Sequence, residues 1–494
     1  MAGTAMLRET AMLRGWPCSI FSKEITMTRL GAGGEEWRSM GDGAKGYDPK
    51  AAESIVASAR QRIEQVRKRD VRLKIVDRSG KPVARKTFQL VQTRLDFPFG
   101  DQMWQLDRLY RFNRQDTDAG RYWKLRFAEL FNAANALCYW TERPRNDGPK
   151  TEDIQGFPQM DGFHYCVDWA ASQGLTVKGH PIFWSIDKAV PDWVKRYPYE
   201  TQLKFLEVRV RSLVASVRGR VKIWDVVNEP LWEPAFRNLP QRNWPHIEPV
   251  AAMADYIEPV IGWARQEDPD ACYVLNDYGL EHDSPRGEPL RSADGTLVTA
   301  ALQRRRMLEL LEELAMRKSS PGALGLQTHT GGWQDHASQL AVYDELSAAG
   351  LPIHITEFWA STEDLRRRGL PQAEIDEIQA QFVVNYITCA FSHPVVEAFF
   401  CWGLFGHAVE FNAKHSGHEL GLVYQRVHDL LHNQWRTRTS VATDADGMTG
   451  FRGFLGDYSL RYNLREDQPH GARFTVDNST SDAPVKVVAA LANG

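Results

Sequence analysis

Two glutamates set the chemistry this sequence can perform. Glu229 ends the run VKIWDVVNE, and Glu357 ends LPIHITEF short of its final Phe. Each closes a short apolar stretch of strand length. Two carboxylates facing each other across a cleft are what glycosidic cleavage needs. One protonates the leaving oxygen, and the other attacks the anomeric carbon or activates a water. The acid must keep its proton while its partner is ionised, and a negative neighbour raises the acid's pKa. A lone Glu at a strand end is ordinarily a surface residue. An Asn-Glu after WDVV, with a second Glu ending a later strand, is a constellation. Neighbouring runs end in other groups able to act on a sugar: His180 and Trp184, Asn228, Asn276-Asp277-Tyr278, Gln327 and His329, and Trp402.

Positioning these groups requires strands that end together. Strand-length apolar runs occur at 97–100, 134–140, 175–184, 221–229, 272–278, 323–329, 351–358 and 395–405. Helical patterns separate them. Leu206, Val210, Leu213, Val214 and Val217 share one face, as do Met307, Leu310, Leu311 and Leu314, and Ile375, Ile378, Phe382 and Tyr386. Alternating β and α predicts an α/β fold with a parallel sheet and helices outside. Eight such units predict a closed (β/α)8 TIM barrel over 97–436, whose strand carboxyl ends face the active site.

The flanks read differently. Residues 1–48 lack periodicity and are expected to be disordered. In 49–96, a charged amphipathic helix over 49–69 precedes a strand in which Val71, Leu73 and Ile75 alternate with Arg72 and Lys74. A turn at Ser79-Gly80 leads to a second strand at Thr87–Thr93. In 437–494, Asp446-Gly447 is a hairpin signal, and Gly450–Tyr462 and Ala472–Val476 read as strands. The two flanks are expected to join into a small accessory β unit beside the barrel.

Composition excludes several function classes. Lys+Arg is 60 against Asp+Glu 63, a net charge of -3 with no basic stripe, so no nucleic-acid partner is expected. No run of about 18 apolar residues predicts a membrane span. The 6 cysteines are scattered without zinc-like spacing. His407, His415, His418, His428 and His432 read as solvated or capping histidines rather than a metal site. No Walker loop, strand-following GxGxxG or GxSxG appears. Arg8 and Arg14 precede no apolar segment of about 7–15 residues, so the N-terminus does not read as a secretory signal. Localisation stays open.

The motifs GHPIFW, WDVVNEP, LNDY, GLQTH, ITEF and FFCWGLF occur in this order. They resemble the strand-end motifs of glycoside hydrolase family 10, the endo-β-1,4-xylanase family. The resemblance implies a retaining β-glycosidase that needs no cofactor or metal and takes a polysaccharide or oligosaccharide. It implies Glu229 as acid/base, Glu357 as nucleophile, Asn228 on the sugar 2-hydroxyl and His329 beside the nucleophile. His180, Trp184, Trp140, Gln327, Tyr278 and Trp402 take substrate-binding or supporting places. There are departures. Trp359 stands where the family has Asp two residues after the nucleophile, and Tyr139 where strand two usually carries Lys. SIDKAVPDW replaces the usual His and Gln, and GLFGHAVEF lacks the usual acidic residue and second Trp. The expected substrate is a β-1,4-xylose backbone. The alternatives are another β-linked plant polysaccharide or glycoside, or a catalytically silent carbohydrate-binding protein.

Overall fold

The computed structural model describes residues 49–141, 149–153, 155–231, 249–282, 290–292, 295–329, 333–405, 409–412, 417–462, 472–480 and 483–489. The segment 1–48, expected to be disordered, lies outside them, as do His407, His415 and the side chain of His418.

Helix α1 (Pro49–Val66) opens the described chain. It stops at Val66 rather than residue 69 because Arg67 turns inward. Its guanidinium donates to the carbonyls of Phe391 (2.6 Å), His393 (2.8 Å) and Val396 (2.5 Å). Burial lowers its pKa to about 10. Strands β1 (Lys68–Val76) and β2 (Thr87–Leu95) follow.

The barrel strands are β3 (Phe99–Gln102), β4 (Ala133–Leu137), β5 (Thr176–His180), β6 (Val221–Asn228), β7 (Cys272–Asp277), β8 (Ala323–Leu326), β9 (Ile353–Phe358) and β10 (Val396–Cys401). Each pairs in parallel with the next. The pairing of β10 with β3 closes the ring, Phe400 opposite Gly100. All eight predicted strands are therefore present. The crossovers include helices Asp118–Leu130, Asp161–Ser172, Tyr199–Ser216, Val250–Glu267, Ala300–Met316, His336–Leu346 and Gln372–Ser392. Their predicted apolar faces pack inward: Leu206, Val210 and Val214 are each 0% exposed. Three of these helices are capped by a side chain, from Thr117, Thr299 and Asp335; Asp335 Oδ1 accepts from the amides of Ala337 and Ser338, each at 3.0 Å.

Side chains inside the ring change character along its axis. Ala133, Ile223, Val274, Ala323, Ala398 and Phe400 form an apolar cluster of their own. Toward the carboxyl ends of the strands the alternate positions are polar: Lys178, Asp225, Asn276, Thr356 and Glu357, all buried. The floor is a packed core, and the rim is where buried polar groups must pair with one another.

After the barrel come β11 (Arg438–Ala442), β12 (Met448–Phe454), β13 (Gly456–Arg461), β14 (Ala472–Val476) and β15 (Val485–Val488). The flanks do join. β1 lies between β12 and β15, and β2 lies between β11 and β13, with β14 outside β13. Val71, Leu73, Ile75, Phe88, Leu90, Tyr458, Leu460 and Val476 are the core of this unit. The Asp446-Gly447 turn is not a simple hairpin, because β11 and β12 enter different sheets. The expected strand 450–462 is two strands. Gly456, which opens the second, has φ 140°, and a Cβ there would lie 2.0 Å from the Arg94 carbonyl oxygen. Only glycine fits that passage.

Candidate active site

Glu229 stands immediately after β6. Its φ is 57°, in the left-handed region that side chains avoid. Its amide donates to the Asn276 carbonyl on β7 at 2.7 Å, which holds this conformation. Its carboxylate is bonded on both oxygens. Oε2 accepts from the Trp184 indole at 2.8 Å. Oε1 accepts from Gln327 at 2.9 Å and from Asn228 at 3.1 Å.

Glu357, near the end of β9, is 4% exposed. Its Oε1 accepts from Asn276 Nδ2 at 2.9 Å. Its Oε2 lies 3.2 Å from His329 Nε2. His180 Nδ1 is 3.8 Å from Oε1 and 2.6 Å from Asp225 Oδ2. Lys178 Nζ donates to that same Asp225 oxygen.

Asn276 joins the two halves. Its Nδ2 also donates to Asn228 Oδ1 at 2.8 Å, and its Oδ1 accepts from Thr356 Oγ1 at 2.5 Å. This amide needs a gap on β8. A Cβ at Gly325 would fall 2.5 Å from Asn276 Oδ1.

These surroundings push the two carboxyls apart in pKa. Burial raises that of Glu229, and the charge of Glu357 adds to it. The bonds from Gln327 and Trp184 and the charge of Lys188 oppose this without overcoming it. Burial also pushes Glu357 up, but the charge of His180, the bond and charge of His329 and the charge of Lys178 outweigh it, and its pKa is lowered. Asp225 is likewise lowered, its burial outweighed by Lys178 and His180. One carboxyl is thus biased to hold a proton and the other to be an anion.

A bell-shaped pH–rate profile is the expected consequence. If the pair works as acid and anion, activity should fall on the acid side as Glu357 takes a proton and on the alkaline side as Glu229 loses one. His329→Ala removes a group that favours the Glu357 anion. The acidic limb of kcat/KM should therefore move to higher pH, with the alkaline limb moving less. An unmoved acidic limb would show that His329 does not act on Glu357.

Two buried aspartates brace the rim. Asp101, after Gly100 on β3, accepts from the amides of Gly403 and Phe405, each at 2.7 Å. Burial raises its pKa to about 6 against those bonds. The turn it holds carries Trp402, whose ring meets His180 edge-on with centroids 5.0 Å apart. Asp277 Oδ2 accepts from the amide of Leu231 at 2.8 Å and so fixes the chain just past Glu229.

The structure therefore gathers Glu229, Glu357, Asn228, His180, Trp184, Gln327, His329 and Trp402. It places two expected residues elsewhere. Trp140 is 4% exposed and donates its indole N–H to Glu152 at 3.0 Å, where the Trp193 indole also donates. Tyr278 is buried in the large apolar cluster, with its amide on Asp277. Asn276, two residues earlier on the inward side of β7, reaches the carboxylates instead. At the departures, the Tyr139 ring lies 5.7 Å from both His180 and Trp184. Lys188 Nζ sits 4.5 Å from the centroid of the Trp184 ring. Trp359 pairs through its backbone with His329 and donates to the Thr328 carbonyl at 3.3 Å.

Sequence reasoning placed Asn276 at a strand end without a role and missed Lys178, Asp225 and Asp101 as supports. Strand parity could have found two of them. Asp225 lies four residues before Glu229, and Lys178 two before His180, both on inward positions. His180, Asp225 and Glu357 offer ligand atoms within 4.8 Å of one another. Lys178 already sits on the Asp225 carboxylate, which disfavours a cation there.

Residues 149–409 match the sequence profile of Glycosyl hydrolase family 10, more than half of the chain. Among curated proteins, this chain is 28% identical over 421 residues to the anti-sigma-I factor RsgI6 of Acetivibrio thermocellus, covering 83% of this chain and 47% of that protein. It is 24% identical over 440 residues to endo-1,4-beta-xylanase 2 of Arabidopsis thaliana, covering 87% and 35%. The chain thus spans about half or less of the length of these relatives. Among solved structures, xylanase 10B of Thermotoga petrophila, in complex with xylobiose, is 19% identical with a TM-score of 0.49, covering 69% of this chain and 95% of that one. By its sequence profile, with the strand-end residues of the family closing a (β/α)8 ring, the chain belongs to glycosyl hydrolase family 10.

Proposed function

We propose that this protein is an endo-acting retaining β-glycosidase that cleaves β-1,4-xylosidic bonds in xylan. Glu357 attacks the anomeric carbon while Glu229 passes its proton to the departing oxygen. A covalent glycosyl-enzyme forms as the glycosidic bond breaks. Glu229, now a carboxylate, takes a proton from water, and that water displaces Glu357. Asn228 is suited to hold the sugar 2-hydroxyl, and Trp402 to lie under the ring. The observation that carries this reading is the opposite bias of two carboxyls joined through Asn228 and Asn276. The xylanase names of the Arabidopsis relatives favour xylose as the sugar.

Product stereochemistry tests the mechanism. Proton NMR of freshly cleaved xylo-oligosaccharide should show the β-anomer first, with the α-anomer arising by mutarotation. The α-anomer first would refute retention. Cleavage of a different β-glycan in preference to xylan would change the sugar and keep the chemistry. A second reading, a barrel that binds oligosaccharide without cutting it, is favoured by the relative named as an anti-sigma factor. It expects saturable binding with no reducing ends released.

A further inference from the structure

Thr328 is the most strained residue beside the two carboxylates. Its φ is 58°, and a β-branched side chain there is a genuine outlier. Strain of this kind persists only where the surroundings over-determine it. Thr328 Oγ1 reaches the Leu326 carbonyl at 3.2 Å and the Trp359 amide donates to its carbonyl at 3.3 Å, but the shortest bonds run to one buried carboxylate. Glu281 Oε1 accepts from the Thr328 amide at 2.7 Å and from Thr328 Oγ1 at 2.9 Å. Its Oε2 accepts from the Leu280 amide at 3.1 Å, and Glu281 is 6% exposed.

The residues on either side of Thr328 serve different partners. Gln327 still pairs with β7, its amide donating to the Asp277 carbonyl at 3.0 Å, and its side chain reaches Glu229. His329 pairs instead with Trp359 beyond β9, and its side chain reaches Glu357. Thr328 is the swivel at which the chain passes from one neighbouring strand to the other.

We propose that Glu281 is a positioning residue: by locking Thr328 in the left-handed conformation it sets Gln327 on Glu229 and His329 on Glu357 at once. This rests on the glycosidase reading, which assigns those carboxylates their roles. Glu281 touches neither of them by any contact described above and acts only through Thr328.

The test compares Glu281→Ala, Glu281→Gln and the double variant Glu281→Ala with Thr328→Gly, using an aryl β-xyloside. Glu281→Ala should lower kcat about 10²-fold, the usual effect of a misplacement near 1 Å. Both pH limbs should move to higher pH. Glu357 loses the His329 bond that favours its anion, and Glu229 loses the Gln327 bond that favours its own. The other titratable groups facing the pair (His180, Lys178, Asp225, Lys188 and Asp277) are unchanged, so a common upward move reads the swivel. Glu281→Gln keeps an acceptor for Thr328 and should stay within about fivefold of wild type. The double variant should recover part of the loss, because glycine adopts this φ without steric cost. Glu281→Ala with unmoved limbs and a proportionate loss of folded protein would overturn the proposal, as would a double variant no better than Glu281→Ala. Carboxyl NMR titration of 13C-glutamate protein, with Glu229→Gln and Glu357→Gln assigning the signals, reads the same two shifts without turnover. A wild type that cleaves no β-glycan would therefore refute the glycosidase reading, while the titration still decides for Glu281.

Discussion

Replacing Glu357 with Ala should stop turnover of xylan and of aryl β-xylosides alike, lowering kcat by at least about 10⁴-fold. In the proposed mechanism this side chain contributes the bond-forming atom, and none of the side chains described around it is a carboxylate able to replace it there. Asn276 Nδ2 would still bond Asn228, and His329 and His180 would face an emptied pocket. Asn276 Nδ2 and the two imidazoles left facing that pocket can donate to a small anion. Azide should therefore enter where the carboxylate stood and attack the anomeric carbon from the same face. With an activated aryl xyloside, which needs little protonation, the product should be the α-glycosyl azide. Thermal unfolding checks that the variant folds. A β-glycosyl azide, or turnover near the wild-type rate, would remove Glu357 from its role.

How much of this was legible beforehand depends on whether a feature lives in one segment or between segments. The eight strands were legible because each is a single apolar run of strand length, six of them closed by polar or aromatic groups able to act on a sugar. Glu229 and Glu357 were legible because both close such runs. The Lys178–Asp225–His180 cluster was legible only as inward parity; that the three side chains bond one another appears when β5 pairs with β6. Asn276 and Tyr278 share one parity, so alternation does not tell them apart. β7 ends at Asp277; Asn276 on the strand reaches the carboxylates, while Tyr278 past its end is buried in the large apolar cluster. Where the Trp140 indole points was equally hidden, since the segment bearing Glu152 returns to accept it. In the flanks, alternation announced the strands but not their partners. Asp446-Gly447 has hairpin residues, yet the strands it joins are pulled into two sheets by β1 and β2. Backbone conformation was the least visible. Nothing in LQTH signals that Thr328 is left-handed, because the cause is Glu281, distant along the chain.

Glu229→Ala should give a result that depends on the leaving group, unlike Glu357→Ala. Glycosylation of Glu357 needs the Glu229 proton only when the departing oxygen is a poor leaving group. Xylan, whose leaving group is a sugar hydroxyl, should lose about 10²–10⁴-fold in kcat/KM, the usual worth of general acid catalysis. A dinitrophenyl β-xyloside should lose little in that step. Its second step still needs Glu229 to activate water, so the glycosyl-enzyme should accumulate, visible as a burst of phenolate and a lowered KM. Azide needs no deprotonation and should speed that step, entering from the face opposite Glu357 to give the β-glycosyl azide. The alkaline limb of the pH profile should also disappear, because the group that defined it is gone. If both leaving groups slow equally and azide changes nothing, Glu229 is not the acid, and the raised pKa that burial and Glu357 impose on it has no part in the reaction.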